Sequence, residues 1–198
     1  MALPKQQATQ SGAGPTDAAL VLAARAGESW AQEALYRRYA RMANSLAYRI
    51  LANQADADDL VQDAFTAALS TLQRLENAQA FGSWLGSIVV RTAHKRLRRA
   101  RLMDRLGLRR SEPIDLDELI SEDVAPDIVA EARALYRAVE SLNADERVAL
   151  ILHRVEGMTS ADVARHMGVS LATVKRKISS ALAKLAHMRA DDEVSRDA

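Results

Sequence analysis

Cysteine is absent from the 198-residue chain, which excludes a disulfide framework, a thiolate metal site and a cysteine nucleophile. The four histidines, His94, His153, His166 and His187, are scattered without a ligand spacing, so neither a metal nor another cofactor is expected. No apolar run approaches the ~20 residues of a membrane span, and the start, MALPKQQATQSGAGPT, lacks the apolar core of a signal peptide. A cytoplasmic protein that does not insert in a membrane is therefore expected. No stretch alternates with period two over a useful length, which argues against strands. What the chain does have is 48% hydrophobic residues, enough for real cores, and a net charge of +1 that hides a strong segregation. Between 91 and 110 stand Arg91, Lys95, Arg96, Arg98, Arg99, Arg101, Arg105, Arg109 and Arg110 against one acid, Asp104. Directly after come Glu112, Asp115, Asp117, Glu118, Glu122, Asp123, Asp127 and Glu131, with no base until Arg133. A near-neutral chain can thus carry a polyanion-binding face.

The periodicity predicts an all-α chain of two small helical domains, 16–106 and 127–188, joined by a flexible acidic linker at 107–126 and flanked by flexible ends at 1–15 and 189–198. In the first domain a helix over 17–26 turns Leu20, Val21 and Ala24 inward and stops at Gly27. Ser29 and Gln32 suggest a capping box for a second helix over 29–53, with Leu35, Tyr36, Tyr39, Leu46 and Ile50 inside. A third helix over 57–75 follows from Leu60, Val61, Ala64, Phe65, Ala68 and Leu72. Its other face carries Asp58, Asp59, Gln62 and Asp63. These side chains either favour the positive end of the helix dipole or form a docking face for a basic partner helix. A fourth helix from Phe81 uses Trp84, Leu85, Ile88 and Val89 as its apolar stripe, with Phe81 and Trp84 as core residues. Its second half carries the basic cluster, too dense for an ordinary solvated face and suited to phosphate contact.

The linker, marked by Gly107, Pro113, Pro126 and its acids, reaches at most about 65–70 Å. In the second domain Ile128, Ala132, Leu135, Tyr136 and Val139 mark one helix. Asn143 caps the next, over 144–156, with Val148, Ile151, Leu152 and Val155 inside and Gly157 as the stop. The stretch SADVARHMGVSLATVKRKIS then reads as two short helices joined by a tight turn. Thr159 and Ser170 are placed as N-caps; Val163, Ala164 and Met167 face inward on the first helix; Gly168 makes the turn; Val169, Val174 and Ile178 line the inside of the second. This is the helix-turn-helix plan, which completes a four-helix unit and presents Ala172, Thr173, Lys175, Arg176 and Ser179 outward to a major groove.

Two sets of motifs carry a resemblance. DADDLVQDAF, FGSWLGSIV and RTAHKRLRRAR, at 56–65, 81–89 and 91–101, resemble the second conserved region of extracytoplasmic-function (ECF) sigma factors of the sigma-70 family. The stretch 142–185 resembles their fourth region. The resemblance implies a non-enzymatic, dissociable promoter-specificity subunit of bacterial RNA polymerase, with core polymerase and promoter DNA as partners and an anti-sigma factor wedged between the domains. By the same likeness Asp58, Asp59, Gln62 and Asp63 bind the clamp helices of core polymerase. Arg91, Lys95, Arg96, Arg98 and Arg99 lie near the minus-ten element, with a pocket for a flipped base in the 74–82 loop and the start of the fourth helix. Ser170, Ala172, Thr173, Lys175, Arg176, Lys177 and Ser179 face the minus-thirty-five element. Arg91 stands where the family often has Asn, Lys95 where it often has Asp, and Lys177 and Ser180 where Arg is common, which puts the promoter sequence in doubt rather than the fold. Two other readings stay open. One is a two-domain response-regulator-type helix-turn-helix regulator, although 17–105 lacks the strands of a receiver; the other is a helical adaptor that reads no promoter.

Overall fold

The computed structural model describes residues 14–107 and 141–196, with positions 129, 134, 138 and 139 between them, and side chains as far as Met188. The arm, nearly all of the expected linker and most of the helix expected around 128–139 lie outside the described residues. Every described element is helical, and no strand is present among the described residues.

Helix α1 (Asp17–Arg25) starts where Thr16 accepts the Ala19 N–H on its hydroxyl oxygen at 3.3 Å. Helix α2 (Ser29–Leu51) departs from expectation at both ends. Ser29 is its first helical residue rather than its cap; Glu28 is the N-cap and makes no side-chain bond, so the capping box with Gln32 does not form. The Glu28 carbonyl takes the Ala31 and Gln32 N–H groups instead, so the N–H that a capping side chain at Glu28 would have met is already bonded to backbone. At the other end Ala52 adopts a left-handed conformation (φ 57°) that costs a residue with a Cβ some strain. Ending α2 there frees Asn53, whose side chain accepts the Asp56 N–H at 2.9 Å and caps α3.

Helix α3 (Gln54–Ser70) therefore begins earlier than predicted, and it also ends earlier. The Ser70 and Thr71 hydroxyls both donate to the Ala67 carbonyl, at 3.0 and 2.6 Å, and this back-bonding competes with another α-helical turn. Two 3-10 turns, Leu72–Arg74 and Ala78–Ala80, then lead into the long α4 (Phe81–Arg105). Leu20, Leu35, Ile50, Leu60, Val61, Phe81, Leu85 and Val89 are all buried in the core of this half. Phe81 is fully enclosed and Trp84 only partly so; Tyr36, expected inside, is exposed and tilts its ring over Phe65 at 4.8 Å.

In the C-terminal half α5 (Ala144–Leu150) opens with a full capping box rather than the Asn143 cap alone. Asn143 accepts the Glu146 N–H at 2.9 Å, and Glu146 accepts the Asn143 N–H at 3.0 Å. One regular helix was expected to 156, but the chain widens into a π turn over Ile151–Val155. The extra residue per turn rotates Val155 out of the core to 60% exposure. Helix α6 (Ser160–Met167) has Thr159 as its N-cap, and Gly168 takes the left-handed turn (φ 67°) into α7 (Leu171–Arg196). Ser170 caps α7 through the Thr173 N–H at 3.2 Å. Val169, expected on the inner face, is exposed, while His166 is buried with its Nδ1 2.9 Å from the Asp162 carbonyl. The last helix runs on to Arg196, past the point where the C-terminal domain was expected to end.

The two halves touch. Leu85 and Val89 belong to the same buried cluster as Val148, Ile151, Leu152, Val163, Met167 and Val174, and α4 is the element that packs against both α5 and α6. Close packing also fixes the start of α4. A Cβ on Gly82 would meet the Tyr39 ring at 2.6 Å, and that ring cannot swing aside freely because its hydroxyl donates to Asp17. Burial and the neighbouring Asp17 carboxylate push the Tyr39 pKa up to about 12. Replacing Gly82 by Ala is expected to destabilise the protein by about 1–3 kcal/mol, measured by urea unfolding, and the double change Gly82→Ala with Tyr39→Leu is expected to recover most of that loss.

Candidate nucleic-acid interface

Asp58, Asp59, Gln62 and Asp63 all lie exposed on α3, because Leu60, Val61, Ala64 and Phe65 take the opposite side into the core. Asp58 accepts from the Gln54 side chain at 3.0 Å. Asp63 is drawn toward the basic helix: Arg96 donates to its carboxylate at 2.5 Å and to the Asp56 carbonyl at 3.1 Å. Arg91, Lys95, Arg98 and Arg99 are exposed along α4 as the sequence pattern required. Arg96 is half-buried, so it belongs as much to the junction of α3 and α4 as to a DNA-facing row.

The loop before α4 is short and well held. Leu72 and Leu75 bury their side chains, while Gln73, Arg74, Glu76, Asn77 and Gln79 face solvent. Asn77 accepts the Gln79 N–H at 3.0 Å, which shapes the second 3-10 turn. Exposed amide and charged side chains on a fixed backbone can read the edge of an unpaired base.

On the recognition helix α7, Ala172, Lys175, Arg176 and Ser179 are exposed, and Thr173 is half-buried beside the Ser170 hydroxyl at 2.8 Å. Lys177 is turned away from this group. Its ammonium pairs with Asp145 at 2.8 Å, and the same carboxylate accepts from His94 Nε2 of α4 at 2.6 Å. Arg49 of α2 also pairs with Glu156 across the two halves. Two clefts lie between the halves. One, of about 550 Å³, is lined by Tyr39, Met42, Gly86, Met158 and His166 among others. The other, of about 700 Å³, runs between Lys95, Arg98, Arg99, Arg105 and Lys177, with Asp145 as its one carboxylate among the described residues.

Sequence reasoning missed the two adjacent acids that organise this region. Burial raises the Asp145 pKa, but hydrogen bonds from Lys177 and His94 outweigh it and hold the carboxyl below its ordinary value. Glu146 is 3% exposed; burial again raises its pKa, and bonds from Lys184, Ser180 and the Asn143 N–H bring it below the ordinary glutamate value. A Glu three residues after an Asn cap is the sequence signal for Glu146, while nothing local marks Asp145. Among the described residues no cluster of His, Asp and Glu could hold a metal ion, and no helix is long and apolar enough to cross a membrane.

A helical unit with abutting acidic and basic faces, followed by a helix-turn-helix, defines a two-part DNA-binding protein. Comparison with known proteins makes this specific. Residues 35–102 match the family model for sigma-70 region 2, and residues 132–185 match that for sigma-70 region 4. The chain is 34% identical over 173 residues to the ECF RNA polymerase sigma factor SigM of Mycobacterium tuberculosis, covering 87% of this chain and 84% of that one. It is 30% identical over 171 residues to the ECF RNA polymerase sigma-E factor of Escherichia coli, covering 82% and 88%. Among solved structures, CnrH in complex with the cytosolic domain of CnrY is 26% identical, with a TM-score of 0.57 over 90% of this chain and 99% of that one. The sigma factor RpoE bound to the anti-sigma factor NepR from Bartonella quintana, 22% identical, shares the fold with a TM-score of 0.58 over 79% and 94%. The chain belongs to the ECF sigma factors of RNA polymerase, and a region 2 match in the N-terminal half sets aside the response-regulator reading.

Because the folded pKa of Glu146 lies below its ordinary value of 4.5, its stabilising effect is complete above that pH and disappears as the pH falls through the lower folded value. The Glu146→Gln protein is expected to be about 2 kcal/mol less stable at neutral pH, with the gap to the unmodified chain closing in acid, as measured by denaturant unfolding across pH.

Proposed function

We propose that the chain works as a promoter-specificity subunit whose two halves divide the labour. The acidic face of α3 docks on the clamp helices of core polymerase. The basic row of α4, with the loop at 74–82, captures and holds the opened minus-ten element. The exposed end of α7 reads the minus-thirty-five element as duplex. The observation that carries this reading is the juxtaposition on one small unit of an exposed acidic face and an exposed basic row, joined at Asp63 and Arg96.

Physical chemistry supports the division. Opening DNA needs no covalent step, only binding that favours the unpaired strand, and the cost of a few kcal/mol per base is offset by capture of the base and contacts to its phosphates. This is consistent with a factor that carries no catalytic residue of its own. The loop supplies groups for the base, and Arg91, Lys95, Arg98 and Arg99 supply exposed cations for the strand. On α7, Ala172, Lys175, Arg176 and Ser179 are the residues free to enter a groove, while Ser170 and Thr173 fix the helix start. Lys177 and Arg96 join these contacts only after leaving their carboxylates. The chain acts in the cytoplasm, where core polymerase is found. RpoE is solved in complex with the anti-sigma factor NepR and CnrH with the cytosolic domain of CnrY, which supports an anti-sigma partner for this chain, one that binds between the two halves and holds the factor inactive.

With bacterial core polymerase, the full chain is expected to start transcripts at promoters that core alone ignores; a genome-wide screen that finds none would reject the proposal. Reversing charge at Asp58 and Asp59, two acids with no link to Arg96 among the described contacts, is expected to weaken core binding at least about tenfold in a direct binding assay. Duplex binding by the chain itself should be unchanged. Replacing Lys175 and Arg176 by Ala is expected to do the opposite, lowering duplex binding and the steepness of its salt dependence.

A further inference from the structure

Arg25, the last residue of α1, performs a task outside both charged faces. Its Nε and Nη2 donate to the Leu72 carbonyl at 3.2 and 3.1 Å, and Nη2 also donates to the Leu75 carbonyl. In return the Gln73 side-chain amide donates to the carbonyl of Arg25 itself at 3.3 Å. The end of α1 and the first 3-10 turn are thus stitched in both directions, across 47 to 50 positions of sequence. No ion pair of Arg25 occurs among the described residues, so its charge is spent on carbonyl dipoles behind the loop.

We infer that Arg25 is a positioning residue for promoter opening: it fixes the backbone at Leu72 and Leu75 so that the exposed side chains of the next few residues meet an unpaired minus-ten base in one geometry. This rests on the reading of the 74–82 loop as the base pocket. Packing of both 3-10 turns against α1 holds the loop in place, but few side-chain bonds orient its backbone. It holds two single-turn 3-10 helices; among the described residues its one other side-chain bond to backbone is the Asn77 to Gln79 contact; and Leu72, Leu75 and Ala78 anchor its inner edge. A planar guanidinium spanning two carbonyls restrains orientation as well as distance, which a flexible ammonium cannot do. Base discrimination demands such restraint, because a hydrogen-bonding group displaced by an ångström no longer separates right from wrong partners. Position 25 touches neither the acidic row of α3 nor the basic row of α4, so its effect should be confined to the loop.

The test uses the full chain with core polymerase and a promoter library randomised at both elements, read by sequencing the transcripts. For Arg25→Lys, base preference at the unpaired minus-ten positions is expected to flatten by roughly tenfold, the worth of one discriminated base, while preference at the minus-thirty-five positions and core affinity stay unchanged. Gln73→Ala, at an exposed side chain that folding does not need, should flatten it less, in the same positions. Unchanged minus-ten ratios with fewer transcripts overall would mean that Arg25 merely supports the fold, and would overturn the inference. Asn77→Ala and Gln79→Ala separate the two layers. If they flatten the minus-ten preference and the Arg25 and Gln73 variants do not, the inference fails while the pocket reading stands. If they do not, the pocket reading fails and takes the inference with it.

Discussion

Two consecutive carboxylates, Asp145 and Glu146, hold together the parts of this molecule that must be placed relative to one another. They share the first turn of α5, where the helix dipole favours negative charge, yet they point to different partners. Glu146 turns inward, completing the cap and gripping Ser180 and Lys184 of the recognition helix. Asp145 turns outward to His94 of the basic helix and Lys177 of the recognition helix. A buried carboxylate without its donors would be strongly unfavourable, so the need to satisfy Glu146 restrains how α5 and α7 sit together, alongside the packing of Leu150 on Ala181 and Leu185. Asp145 is only partly buried, and its pairs are of the kind that water and salt can replace. One residue fixes geometry within the C-terminal half; its neighbour makes a reversible tie between the halves.

The same distinction runs through the N-terminal half. Leu60, Val61 and Phe65 pin α3 against the core and thereby expose the whole acidic row, while Arg96 bridges α3 and α4 from the side. Rigid packing beneath and exchangeable ion pairs above suit the proposed division, in which α3 meets a polymerase surface and α4 a nucleic-acid strand. The abutment at Arg96 also means that the two faces are not independent, since a ligand that draws Asp63 away alters the charge presented by α4.

Much of this was legible in the residue pattern. The inward faces of α1, α3 and α4, the caps at Thr159, Ser170 and Asn143, and the turn at Gly168 follow from local rules, and the helix-turn-helix offsets pointed to the exposed set on α7. What was not legible depends on partners distant in sequence. Ala52 in a left-handed conformation has no local signature, and it shifted two helix boundaries. The π turn sent Val155 to solvent where 3.6-residue spacing placed it inside. Tyr36 and Val169 look apolar enough to bury, yet both stay exposed among the described residues, Tyr36 with its ring against Phe65. The diversion of Lys177 and Arg96 was invisible because a basic residue on an outward helical face looks the same whether its counterpart is a phosphate or a carboxylate on another helix.

That diversion has a thermodynamic consequence. Duplex DNA carries condensed counterions, and a lysine that neutralises a phosphate releases them into bulk, which is where much of the favourable entropy of such binding arises. Lys177 begins instead with Asp145 as its counterion, and Arg96 with Asp63. When a phosphate takes either cation, the displaced carboxylate stays tethered to the protein and must recruit small cations of its own. On the proposed reading such a contact would add geometry while the cations taken up by the carboxylate offset part of the ions set free, so the salt dependence of DNA binding would count fewer contacts than the interface contains.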